Sequence, residues 1–409
     1  MATPGSPADS LKSSRGKDQI HWPDGVWQAL DHATTHELHK ARVASQFLHA
    51  VHVHKKETTV PSDVVIIPTP PAAGAAPDAL SIDEAGVKRI DELSVLTRMS
   101  VAQIEAEAHH EENSMVHTGE AGHASGSMPM AHPTPSAPLG GDHHDAGGAS
   151  SHHVAPPSHR ATSGVSLAIR AANLLAQAED LMILNGSNGV ANSPLFVNKT
   201  VQVLDPNIVT NLGTGLLNID TTGQINKPVD PSQVILVHPT NLPAGGGALV
   251  DPPTYRENTL NAVAQGVAVL QGLGHYEHYA LVLQTYPYAD LHSALPTTLV
   301  TPVEPIRHLV KAGVFGTGAL PPFDGAKAGL PGKGPDGKVL KGVAYTGVLA
   351  CISPKNMDLV RGRMENNLDA VVSFSQKDVG EQYRFRTSQR FAFRLKDFTS
   401  FVLLVFVTV

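Results

Sequence analysis

The chain has 409 residues, 41% hydrophobic and only 16% charged, which is apolar material enough for a sizeable core and too much length for a minimal domain, so two or three domains, or one domain with large insertions, are expected. A net charge of −7 argues against a general nucleic-acid binder held by phosphate neutralisation. The one cysteine, Cys351, excludes an intrachain disulfide framework and any cysteine-based zinc or iron–sulfur site.

Residues 1–17 are rich in Ser, Pro and Gly and carry no apolar stretch of the secretory-signal kind. Residues 23–42 read as a helix, with Trp27, Leu30, Thr34, Leu38 and Ala41 at helical spacing behind Pro23 and Asp24. Residues 64–67 are a short β-rich run, 68–77 a Pro/Ala/Gly break, and Leu93, Val95, Thr97, Met99 and Val101 alternate as in a half-buried strand. Two extended segments around a breaker predict a long hairpin over 57–106.

Residues 107–160 are low-complexity and hold ten of the 22 histidines: His109, His110, His117, His123, His132, His143, His144, His152, His153 and His159. Gly, Ser, Ala and Pro supply most of the rest, so the segment cannot bury enough apolar area to offset its ordering entropy and reads as a disordered insertion. Its imidazoles, three methionines and nearby carboxylates suit weak, unselective binding of Zn, Cu, Ni or Fe. The same composition also suits a solubilising linker.

Val165, Ile169, Ala172, Leu175, Ala176, Met182 and Ile183 then form a broad apolar stripe that predicts a helix over 164–184, stopped at Asn185-Gly186. A Gly/Pro-punctuated stretch, 187–254, leads to a second helix over 256–273 through Leu260, Val263, Val267 and Leu270. A buried strand is expected at 279–284, a short helix at 303–311, a Gly/Pro loop at 316–337, and strands at 343–352, 370–374, 382–395 and 398–407. In the third of these strands Tyr383, Phe385, Thr387, Phe391, Phe393 and Leu395 alternate with Arg384, Arg386, Arg390 and Arg394, so one face is apolar and the other cationic.

Three motifs invite catalytic readings, and each fails on chemistry. Residues 332–338 have the G-x4-G-K spacing of a phosphate loop, but Val339 stands where the magnesium-binding hydroxyl belongs and Pro335 removes a backbone donor, so a Pro-Asp-Gly turn is expected. His275, Glu277 and His278 lack a third local ligand and run into an apolar strand, which suits structural histidines. No G-x-S-x-G elbow is present, and Cys351 sits in an apolar run as inert buried cysteines do. No enzyme is expected.

Four stretches, in order, resemble the encapsulin shell proteins, also known as linocin-type bacteriocins. They are the helix with Trp27 and Leu30-Asp31; the pattern Leu175-Ala176-x-x-Glu179-Asp180-x-x-Ile183-x-x-Gly186 with Gly215-Leu216-Leu217 further on; the helix at 256–273 leading into Tyr279-Ala280-Leu281-Val282-Leu283; and the closing arm 383–406. Together they span about half the chain, while 107–160, 187–214 and 219–254 are longer than the family norm. The resemblance implies an α+β chain with a Hong Kong phage 97 type capsid fold. Its parts would be an N-terminal arm and helix (1–56), an extended hairpin (57–106), the histidine-rich insertion, a spine-helix domain (161–255 with 371–409) and an axial domain (256–370).

It further implies a non-catalytic shell of roughly sixty copies, or an icosahedral multiple, in the cytoplasm, without membrane or nucleic-acid partners. The cargo enzyme would be a ferritin-like iron oxidase serving iron storage or a dye-decolourising peroxidase acting in oxidative stress. A short targeting peptide would dock on the N-terminal helix near Trp27, Leu30 and Leu38. The loop after Asp290, with His292, Thr297 and Thr298, would line a pore at the five-fold axis. The alternative is a phage or prophage capsid protein packaging DNA.

Overall fold

The computed structural model describes residues 16, 19–20, 22–66, 81–100, 102–105, 163–203, 215–217, 231–240, 253–276, 278–294, 300–320, 323–324, 343–364, 367–378 and 382–407. In chain order its elements are α1 (Asp24–Ala41), α2 (Ala44–Phe47), β1 (Ala50–Val53), β2 (Thr59–Ile66), β3 (Ser81–Arg89), β4 (Asp91–Ser100), α3 (Ser163–Asn192), α4 (Pro194–Val197), β5 (Val201–Val203) and β6 (Val234–Val237). They continue as α5 (Arg256–Gly272), β7 (Tyr279–Gln284), α6 (Thr285–Leu291), α7 (Val303–Leu309), β8 (Gly313–Thr317), β9 (Phe323–Asp324), β10 (Val343–Cys351), β11 (Met357–Gly362), β12 (Ala370–Asp378), β13 (Gln382–Leu395) and β14 (Phe401–Phe406). The chain is α+β, as expected.

Two sheets carry the fold. The first runs β1-β11-β13-β4-β5, with β12 also paired to β13. β13 is its axis. Gln382 to Gln389 pair with β12 on one side, Arg390 to Leu395 pair with β11 on that same side, and β4 runs along the other edge. The second sheet runs β6-β14-β10-β7-β8, with β9 on β10.

Strand periodicity makes this second sheet a wall between two cores. Phe401, Leu403 and Val405 of β14, Val348 and Ala350 of β10, and Ala280 and Val282 of β7 face the main core with α3. Val402, Leu404 and Phe406, then Leu349 and Cys351, then Tyr279, Leu281 and Leu283, face the opposite way onto α5, α6 and α7. A strand covered on both faces reads as continuous apolar sequence, which is why these segments look unalternated. Cys351 is buried within that wall.

α1 lies against α3 and β12. It buries Val26, Trp27, Leu30, Asp31, Thr34 and Leu38, and its aromatic end packs with Trp22, Phe374 and Phe385.

Three expectations about organisation need correction. The return strand of the hairpin is β3, paired in antiparallel register with β2. The strand at 91–100 instead enters the first sheet beside β13, because Leu93, Val95 and Met99 all find buried partners there. The division at residue 370 also cuts across the sheets. β11 belongs to the first sheet, while β14 and β6 belong to the second, since the chain crosses between sheets at 396–400. Finally, α3 does not end at Gly186. It breaks there, at φ 69°, and resumes to Asn192.

Candidate functional site

The chemistry-bearing residues gather where α1 ends, beside α3, β11 and β13. Arg42 follows α1, is fully buried, and sits 2.8 Å from the Glu179 carboxylate of α3 through Nε. Its Nη2 donates to Gln389 Oε1 at 2.5 Å. Arg361 of β11 reaches the other oxygen of Glu179 at 2.8 Å. One buried carboxylate thus holds two buried guanidiniums, and Asp369, 3.6 Å from Arg42 and 3.1 Å from Arg363, offsets the remaining positive charge. Burial pulls the Arg42 pKa down to about 10, against the opposing pull of Glu179.

The adjacent Asp180 turns the other way and accepts the N–H groups of Val43 and Ala44 at 2.9 and 2.8 Å, satisfying the first donors of α2. Burial raises its pKa to about 7. Gly186 and Gly215 complete the junction. The Leu216 and Leu217 N–H groups bond the Ile183 and Leu184 carbonyls at 2.7 Å each, and a Cβ on Gly215 would collide with the backbone of Asn185 and Gly186. The pattern from Leu175 to Gly186, with Gly215-Leu216-Leu217, is therefore one physical joint. It tolerates no side chain at Gly215 and needs both acids. This arrangement fixes elements and does no chemistry.

An open cleft of about 480 Å³ runs along the outer face of α1, lined by Gln28, Asp31, His32, Thr35, His36 and Leu368. Gln28, His32, Thr35 and His36 recur on the face opposite the buried stripe, and Leu368, half-buried, supplies the apolar wall from the loop before β12. Asp31 lies at the cleft's base and accepts the Val372 N–H at 3.0 Å, tying the helix to β12. His39, one turn further, points to Asp369 at 3.4 Å. Burial first, then the nearby Arg42, lowers the His39 pKa.

The expected contact residues lie elsewhere. Trp27, Leu30 and Leu38 are at most 3% exposed and form core, so none of them offers surface to a partner. The apolar stripe of α1 marks its buried face, and the cleft residues Gln28, His32, Thr35 and His36 lie on the polar stripe of the same period that marks its exposed face.

His292 is exposed beyond α6 and packs against Tyr288, ring centroids 4.8 Å apart. Thr297 and Thr298 lie outside the described residues, as do the ten histidines from His109 to His159 and the 332–338 motif. His275 is buried and structural. Its Nε2 meets Thr399 Oγ1 at 2.9 Å and Asp397 at 3.7 Å, pinning the crossover between the sheets. Among the described residues no group of three or more His, Cys, Asp or Glu is arranged to hold a metal ion, and no helix is long and apolar enough to cross a membrane.

Residues 242–324 match a family model described as an encapsulating protein for peroxidase, the linocin family. The match contains α5, β7, α6, α7 and β8, and includes the third of the four stretches that resemble encapsulins. No curated protein matches the chain. Among solved structures the chain is similar to a virus-like particle from Pyrococcus furiosus, at 12% identity over 92% of this chain and 98% of that one, with a TM-score of 0.45. It is also similar to the holo-SrpI encapsulin complex from Synechococcus elongatus PCC 7942, at 10% identity over 89% and 87%, with a TM-score of 0.41. A third is the capsid of a native GTA particle, at 13% identity over 89% of each chain, with a TM-score of 0.43.

Proposed function

We propose that this chain is the protomer of a protein shell that encloses a cargo enzyme and has no catalytic role of its own. The observation that carries the reading is the family match, which falls on the lobe formed by α5 to β8. The hairpin supports it. Ile82 and Val87 of β3 are exposed at 59% and 69%, and a two-stranded ribbon is marginal alone, so a neighbouring copy covering it is the economical outcome. An icosahedral shell of this kind would hold roughly sixty copies, or a multiple of that number. Between the two cargo classes, the family description favours a peroxidase.

Cargo docks in the cleft on α1. A short targeting peptide would lay an apolar side chain against Leu368 and take hydrogen bonds from the exposed Gln28 amide. The test is co-purification of a peptide-tagged reporter with shells. Leu368→Arg places a charge on the apolar wall at a half-buried position outside the core, so shells should form and reporter loading should fall by at least about tenfold, equivalent to some 1.4 kcal/mol. Trp27→Ala instead removes core packing worth about 3–5 kcal/mol, lowering the thermal midpoint of the shell. Normal loading in Leu368→Arg shells would refute the docking assignment.

A further inference from the structure

We propose that His32 and His36 form a two-imidazole site for a borderline divalent cation, Zn²⁺, Cu²⁺ or Ni²⁺, on the cleft face of α1. The site is independent of whether the cleft holds a targeting peptide.

The sequence across it is His32-Ala33-Thr34-Thr35-His36. Residues four apart stand one above the other on a helix, the spacing by which two helical histidines share one zinc ion. The rings are already aligned, their planes 13° apart and their centroids 6.4 Å apart. Metal–nitrogen bonds of about 2.0–2.1 Å require the two ligating nitrogens to come within roughly 3 Å of each other, which small side-chain rotations achieve without moving the backbone. The backbone itself is held, because Trp27, Leu30, Thr34 and Leu38 anchor the other side of α1 in the core.

Both imidazoles are exposed, so water completes the coordination sphere and little desolvation opposes binding. Two of the neighbouring candidates are already engaged, and Glu37 stands about 100° round the helix from His36 and outside the cleft lining, which keeps the site at two protein ligands. Asp31 is bonded to the Val372 amide, and His39 is turned to Asp369. No glutamate follows His32 as in the hydrolytic motif, so the site binds and does not hydrolyse. A cation here would close one wall of the cleft and leave open positions for a donor atom from whatever occupies it.

The test must separate this pair from the other histidines, so it reads individual residues. Shells of the full chain, made without cargo, are carbethoxylated with diethyl pyrocarbonate at pH 7.5, with and without free Zn²⁺ held in the micromolar range by a metal buffer. Modification is then read peptide by peptide by mass spectrometry. His32 and His36 should both label at least about tenfold more slowly with Zn²⁺, while exposed His308 of α7 labels at an unchanged rate. In His36→Ala shells the protection of His32 should vanish, and His36→Cys, which restores a ligand, should recover it. Equal labelling of His32 with and without Zn²⁺ would overturn the proposal. So would Zn²⁺ protection of His32 that survives His36→Ala, since a single imidazole would then suffice.

Discussion

At Asp180, burial and hydrogen bonding act on one proton in opposite directions. Desolvation raises the carboxyl from its ordinary 3.8 to about 7, although the Ala44 and Val43 amides and Arg42 all favour the charged form. The folded state therefore holds this proton more tightly than the unfolded chain. Its contribution to stability is complete below about pH 4 and is lost as pH rises toward 7. In Asp180→Asn that linkage disappears, so the thermal midpoint of the variant should vary less between pH 4 and 7 than that of the wild type. Curves of identical slope would show that Asp180 stays charged throughout. Much of this joint was legible beforehand as a pattern. Glu179, Asp180, Gly186 and Gly215 were singled out in sequence, but their partners Arg42, Arg361 and Asp369 were not. Nothing local marks an arginine as buried, because the acid that pairs it stands 137 residues away from Arg42 along the chain, at Glu179.

Among the elements, the hairpin root shows how the cationic face of β13 is used. Arg394 makes a two-pronged pair with Asp358 of β11, at 2.7 and 2.6 Å, and its remaining amine donates to the Pro61 carbonyl of β2 at 2.8 Å. Arg390 donates to the carbonyls of Lys55 and Glu57, which precede β2, and the Val65 N–H bonds the Lys396 carbonyl. These contacts set the direction in which β2 and β3 leave the sheet. The half-buried Arg394–Asp358 pair is of the charge-assisted kind worth about 1.5–3 kcal/mol, and the exposed bonds to the carbonyls add less. Arg394→Ala should keep the protomer fold, because Lys396 still pairs with Asp358 at 2.8 Å. It should also release the hairpin and lower the yield of closed shells in sedimentation velocity. Undiminished assembly would show that the hairpin is held by its apolar root, Val60 and Ile90, alone. The alternation in β13 and the stripes of α1, α3 and α5 were readable because each element has a period and a single buried face. β1, β8 and β11 were not, being short strands whose burial depends on distant partners, and neither was the true return of the hairpin. A strand's register tells which face is buried and not which neighbour it joins.

For the whole molecule, the make-up of the cores separates what must be kept from what can be removed. The histidine tract, built largely of Gly, Ser, Ala, Pro and His, is too poor in large apolar side chains to form a core of its own. Deleting 109–159 should therefore leave assembly intact and reduce Zn²⁺, Cu²⁺ or Ni²⁺ uptake by the shell, as measured by elemental analysis after gel filtration. Failure to assemble would make the tract structural, and unchanged uptake would leave it a linker. Closure is decisive, since a docking cleft and a clamped hairpin acquire their meaning only in a shell. Electron cryomicroscopy of the purified full-length chain measures it most directly. Closed icosahedral particles, in which the β2–β3 hairpin of one copy lies on a neighbour and covers Ile82 and Val87, are the predicted result; monomers or small oligomers with that hairpin left in solvent would contradict it.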